Sequence, residues 1–257
     1  MKFSTSLTRL VFRSRSNAIV CGNLMKRFYE KVETVAEGDG WAILLDDKSI
    51  KTPAKKMLVL PTKGLAESVV QEWQEQDDEI EPLSMPLTRY ANAAIDRTSA
   101  MRNDVIEQVC AYGQGDVLCY RVDEPTDLAD RQRAEWQPLL DWLSASRNIG
   151  LHSTAGIIQI DQDTTALEAV KAAVSTFDDF RLTGLHEVTT GCGSIAIGLA
   201  LADGQIDCEK ALRLATLEEL YQMELWGEDP ETTRRHEELS QAITHANQFM
   251  CLAMAGA

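Results

Sequence analysis

The chain reads as an α+β protein in which a small N-terminal β-rich domain precedes a larger, mainly helical C-terminal domain. Three observations predict this. Short apolar runs separated by Gly, Asp and Lys turn signals are confined to residues 28–59, and helical periodicity is almost continuous after Pro82. The 257 residues are 44% hydrophobic, enough for a sizeable core, and the 15 Gly and 7 Pro form no disordered or linker-like tract. Residues 25–82 are assigned to the β-rich domain, 83–257 to the helical domain, and 1–24 to an extension outside the fold.

The elements follow in order. FYEKVETVA and WAILLDD flank a Gly38-Asp39-Gly40 turn, and a polar DDKSIK turn region leads into MLVLP, so this part predicts a unit of hairpins. Thr62 caps a helix, TKGLAESVVQEWQEQ, whose Leu65, Val69, Val70 and Trp73 supply an apolar face. Helices are then expected over 83–97, 100–112, 128–147, 167–177, 185–202, 208–226 and 232–254, with strand-like interruptions at 117–121 and 157–160. No uninterrupted apolar run reaches the roughly 18 residues of a membrane-spanning helix.

The net charge of −15 argues against a nucleic-acid partner, because affinity for phosphate needs clustered Lys and Arg. The charge is uneven. Residues 1–27 hold Lys2, Arg9, Arg13, Arg15, Lys26 and Arg27 and no acidic residue, leaving 19 basic against 40 acidic residues in the remainder. The Ser, Arg and Thr content of this head is that of a mitochondrial transit peptide, whereas Met25 opens MKRFYEKVET, which reads as a native start. The six cysteines form no CxxC pair, and the four histidines form no HExxH or i, i+4 pair, so neither a metal site nor a redox motif is expected.

Enzyme motifs fail in turn. Gly113-Gln-Gly115-Asp116 lacks the third glycine and the following helix of a dinucleotide loop. Gly191-Cys-Gly193-Ser194 is not a nucleophile elbow and reads as small residues inside an apolar helix that permit close packing. Glu67, Glu72, Glu75, Asp77, Asp78, Glu79 and Glu81 have no glycosidase or metal spacing and read as a solvated helix end. No catalytic residue and no cofactor is expected.

One carboxylate stands out. On a helix running from 211 to 226, Ala211, Leu214, Tyr221 and Leu225 all fall within about 60° of Glu218, which places a charge in an apolar stripe. Such a group must be hydrogen-bonded, paired or protonated. It is either half of a structural buried ion pair or a carboxylate at a groove that meets a partner or substrate. A raised pKa could suit general-acid chemistry, but no second catalytic group sits at a motif spacing. Trp73, Trp136, Trp142 and Trp226 read first as core.

EWQEQDDEIEPLSMPLTRYANAAID, GDVLCYRVDEPTDLADRQRAEWQPLLDW and LEELYQMELWG, in that order, resemble the signature stretches of the F1 ATP synthase assembly chaperones that attend the alpha subunit. The likeness covers about 25–254 and is densest from Asp116 through Arg121 to Trp142. It implies a non-enzymatic protein with a small β domain and a helical domain, which holds newly made F1 alpha subunit before it meets beta. The family's functionally important acidic residue falls on Glu218. After Trp226-Gly227 the chain continues EDPETTRRHEEL, closer to the bacterial relatives. That implies a bacterial cytoplasmic protein with an upstream start at 1–24, and a mitochondrial matrix protein if the head is a transit peptide. An adaptor for a different partner is the rival reading; co-purification with F1 alpha separates the two.

Overall fold

The structure is a computed structural model that describes residues 25–156 and 160–254. The expectations for 1–24, Cys21 included, and for most of the strand at 157–160 lie outside the described residues.

The N-terminal part follows the expected pattern. β1 (Met25–Lys26) is followed by β2 (Val32–Glu37) and β3 (Gly40–Leu45), an antiparallel hairpin in register from Val32 opposite Leu45 to Glu37 opposite Gly40. A side chain at residue 40 would bring a Cβ to 2.6 Å from the Leu60 carbonyl oxygen, so glycine there lets the neighbouring chain approach. Asp46 and Asp47, both with positive φ, turn the chain into β4 (Lys48–Ser49). β5 (Val59–Leu60) pairs with the other end of β3. Thr62 caps α1 (Lys63–Gln74), its hydroxyl accepting from the Leu65 amide. β6 (Glu79–Ile80) returns to pair with β1.

The helical part starts with α2 (Pro86–Ala93), continued by a π turn over Ala94–Thr98, and α3 (Arg102–Ala111). β7 (Tyr120–Arg121) precedes α4 (Thr126–Arg147) and pairs in parallel with β8 (Thr154–Ala155). Then come α5 (Thr164–Ser175), α6 (Asp179–Cys192), α7 (Ile195–Ala202), α8 (Cys208–Ala215), α9 (Leu217–Trp226) and α10 (Pro230–Leu252). No helix among the described residues is long and apolar enough to cross a membrane.

Two expected helices are each split in two. The helix expected over 185–202 ends at Gly193 in the left-handed conformation, φ 66°, and Ser194 caps the next by accepting from the Ile197 amide. Gly193 therefore terminates a helix instead of packing within one, while Gly191 packs within α6 as expected, a Cβ there lying 2.9 Å from Leu239 Cδ1. Close helix contact comes from Gly184 and Gly198, where a Cβ would lie 2.4 Å from Met250 Cγ and 2.5 Å from Thr189 Oγ1. The helix expected over 208–226 breaks at Thr216, φ −110° and ψ 13°, whose hydroxyl donates to the Leu212 carbonyl at 2.8 Å.

Two apolar clusters form the core. The larger is helical and centres on Trp136, Leu182, Leu185 and the wholly buried run Ile195–Leu201; Trp136 donates its indole N–H to the Leu214 carbonyl at 3.0 Å. The smaller joins Ile43, Leu45, Leu58 and Leu60 to Leu65 and Val69 of α1 and to Leu87 and Ala91 of α2. It is closed by Phe249 and Ala253 from the far end of the chain, and Thr62 donates its hydroxyl to the Leu252 carbonyl. Trp73 is half-buried beside Tyr29, with ring centroids 5.6 Å apart, and packs on this cluster.

The acidic run after α1 divides. Glu75, Asp77, Asp78, Glu79 and Glu81 are exposed as expected, but Glu72 is buried. Its carboxylate accepts from the Leu87 amide at 2.6 Å and from the Thr88 amide and hydroxyl at 2.8 and 2.7 Å. The cause is the start of α2, where Pro86 follows Met85 and no local side chain caps the helix, so Glu72 supplies the acceptor from α1.

Candidate functional site

The break at Thr216 re-aims the chain so that Glu218 lies in the first turn of α9, where a carboxylate faces the positive end of the helix dipole. It is half-buried and projects at the edge of a groove, not from one continuous apolar stripe. Ala211, Leu214 and Tyr221 are buried as expected, while Leu225 is exposed.

Glu218 is held from below. Its Oε1 accepts from Gln132 Nε2 at 2.8 Å, and Gln132, wholly buried in α4, accepts the Val122 amide on its own Oε1 at 2.8 Å. Two further side chains tie α9 to α4. Tyr221 donates its hydroxyl to Asp127 at 2.8 Å, and Arg131 lies over the Tyr221 ring while pairing with Glu224 at 2.7 Å. Across the helix, Glu219 accepts from Arg235 and His236 of α10 at 2.5 and 2.7 Å. With only Leu217 and Tyr221 buried, α9 rests on polar contacts between two long helices.

The groove beside α9 has a volume of about 950 Å³. Its floor is the end of α6 at Cys192 and Gly193, and its wall carries Glu218, Glu219, Glu228 and Asp229 against Arg235, the one cation among the described residues that line it. Met223 and Trp226 add apolar surface. Trp226 is 78% exposed, which corrects its assignment to the core: it ends α9 before Gly227 and projects beside the groove. Trp136 is core as expected, and Trp142 packs half-buried against the larger cluster. In a separate cleft of about 570 Å³ beside Trp142, Lys210 and Arg213 both pair with Glu135.

The sequence motifs set aside as non-catalytic have structural partners. Asp116 is fully buried and accepts from Ser194 Oγ at 2.9 Å, the Ala196 amide at 3.0 Å and the Leu118 amide at 3.0 Å, so it fastens the start of α7 to the 3₁₀ turn Val117–Cys119. Nothing in the sequence pairs Asp116 with a residue 78 positions away. The five described cysteines are free thiols, and burial pushes Cys119 and Cys192 up to about 12, far from a reactive thiolate. Among the described residues no cluster of His, Cys, Asp and Glu is arranged to hold a metal ion.

Comparison with known proteins places this geometry. Residues 26–144 match the family model described as ATP12 chaperone protein. The mitochondrial protein atp12 of Schizosaccharomyces pombe is 23% identical over 214 residues, covering 79% of this chain and 74% of that protein. The crystal structure of Atp12 from Paracoccus denitrificans superposes with a TM-score of 0.87 at 37% identity, covering 90% of this chain and 99% of that one. The Atu1473 protein of Agrobacterium tumefaciens gives 0.85 at 34% identity, covering 89% and 86%. With the α+β architecture and nearly the full length of the bacterial structures shared, the chain belongs to the ATP12 chaperone family of F1-ATPase assembly factors.

Proposed function

We propose that the chain binds the unassembled F1 alpha subunit through the groove beside α9 and keeps its assembly surface from aggregating before it joins beta. An unassembled subunit exposes a large interface patch, and a protein that covers it lowers the population able to associate wrongly. The observation that carries the reading is the placement of Glu218: a carboxylate positioned by a buried amide, in a groove whose wall is acidic and whose edge bears an exposed tryptophan. Large exposed aromatics beside oriented charges are the composition of an interaction surface. No catalytic role is assigned. The same reading takes residues 25–82 and 83–257 as the two structural units and places the protein in a bacterial cytoplasm, with the mitochondrial matrix as the location if 1–24 is a transit peptide.

The test is a paired measurement of melting temperature and alpha-subunit capture. Glu218→Gln keeps an oxygen for Gln132 and should melt within about 2 °C of the parent. Glu218→Lys should stay folded yet weaken capture by roughly tenfold or more, since reversal adds repulsion to the loss of a contact. A well-folded Glu218→Lys protein that captures alpha normally removes this residue from the functional surface.

A further inference from the structure

The acidic groove does not end at α6. Its floor residues Thr190 and Gly191, both exposed, also line a second cleft of about 470 Å³ on the other side of that helix, between α6 and the α2–π-turn segment. This second cleft has the opposite charge character. Arg89 and Arg97 stand exposed along one wall, and among the described residues neither lies within ion-pair distance of a carboxylate; Arg97 donates only to the Gln108 amide oxygen at 3.3 Å. The other ionisable groups that face the cleft are Glu187, His186 and Tyr90, and burial raises the Tyr90 phenol so that it stays neutral. Burial and the nearby Arg97 charge hold His186 below its usual range, so it adds no charge at neutral pH. Two guanidiniums therefore outweigh one carboxylate here, in a chain whose net charge is −15.

We propose that the two grooves form one continuous docking surface with opposite poles, and that its occupant is a dipolar polypeptide segment of the captured subunit. A basic side chain of that segment faces Glu218 and an acidic one faces Arg89 and Arg97. The inference rests on the proposed function for the identity of the partner and adds the second pole and the path between them. Thr190 and Gly191, short and exposed at the end of α6 and shared by both grooves, form the saddle between them, with Leu239 of α10 against Gly191. Complementary poles fix the direction in which a segment lies as well as its attraction. Guanidiniums with no carboxylate in ion-pair range are the groups able to bind an external carboxylate by donating to it bidentately.

The experiment uses the full chain and isolated F1 alpha subunit, reading capture, its salt dependence and the melting temperature. The double variant Arg89→Glu/Arg97→Glu should melt as the parent does and weaken capture roughly tenfold or more, with a shallower salt dependence. Arg89→Lys/Arg97→Lys, which keeps the charge and loses the bidentate geometry, should weaken capture less than the reversal does. Thr190→Trp, which blocks the saddle without touching either pole, should weaken capture as well. If the charge reversal unfolds the protein, Arg89→Gln/Arg97→Gln takes its place with the same expectation. Parent and reversed proteins that capture alpha equally overturn this inference and leave the Glu218 reading standing. A parent that captures no alpha overturns the proposed function and this inference with it. A parent that sediments as a dimer, with the reversal monomeric and capturing normally, shows a second copy of the chain in the cleft and also overturns it.

Discussion

Asp116 shows how the same residue type takes different roles according to what surrounds it. Glu218 sits at a groove, whereas Asp116 is enclosed, and burial pushes its pKa up to about 6 against the opposing pull of its donors at Leu118, Ser194 and Ala196. In the unfolded chain the group titrates near its ordinary value of about 4. Between those two values the folded state keeps a proton that the unfolded state releases, so raising the pH through this window removes stability. The expected loss between about pH 5 and about pH 7 is about 1 kcal/mol. Urea unfolding of the parent and of Asp116→Asn across that range should therefore diverge, with the pH slope flattened in the variant. Parallel pH profiles would show that Asp116 does not titrate in this window. At this scale the sequence was partly legible: the burial of Ala211, Leu214 and Tyr221 followed from helical period, but the single helix that was to relate them to Glu218 breaks at Thr216, and Glu72 and Trp226 were assigned to the wrong environments. Burial of Glu72 is decided by an uncapped helix start fourteen residues downstream, and exposure of Trp226 by the end of α9 at Gly227.

Elements were more legible in kind than in extent. The β2–β3 hairpin, the Thr62 cap and the long helices α4 and α10 follow from local alternation, turn residues and helical period, each of which acts within a few residues. The two helix breaks also had local signals. Gly193 followed by Ser194 is a stop and a start, and Thr216-Leu217-Glu218-Glu219 has the spacing of a capping box. Continuous apolar periodicity concealed them. In the fold Glu219 turns to Arg235 and His236, and the Thr216 hydroxyl turns back to Leu212. The start of α2 offers the sharpest test at this scale, because its cap is borrowed from another helix. Glu72→Ala leaves the Leu87 and Thr88 amides and the Thr88 hydroxyl without an acceptor and should cost about 2–3 kcal/mol by denaturant midpoint. Glu72→Gln, which keeps one acceptor oxygen, should cost less. An unchanged midpoint for Glu72→Ala would mean that α2 is capped by something other than this carboxylate.

In the whole molecule the sheet and the helices are not merely strung in sequence. Phe249 and Ala253 of the last helix complete the core begun by β3, β5 and α1, and the same α10 holds Glu219 through Arg235 and His236 some fourteen residues earlier. One helix thus braces both the N-terminal core and one side of the groove. Long-range closure of this kind carries no local sequence signal, which is why the order of elements could be read while their joining could not. The arrangement leaves α9 as a thin, polar-strapped wall between a rigid helical core and the solvent, with Trp226 at its tip. That wall is the surface through which the proposed capture of the alpha subunit would run. The proposed function requires stoichiometric protection of one subunit, which light scattering during refolding of isolated F1 subunits measures. Added at one equivalent without nucleotide, the protein should suppress aggregation of alpha strongly and of beta much less; equal protection of both, or a strict requirement for ATP, would contradict it.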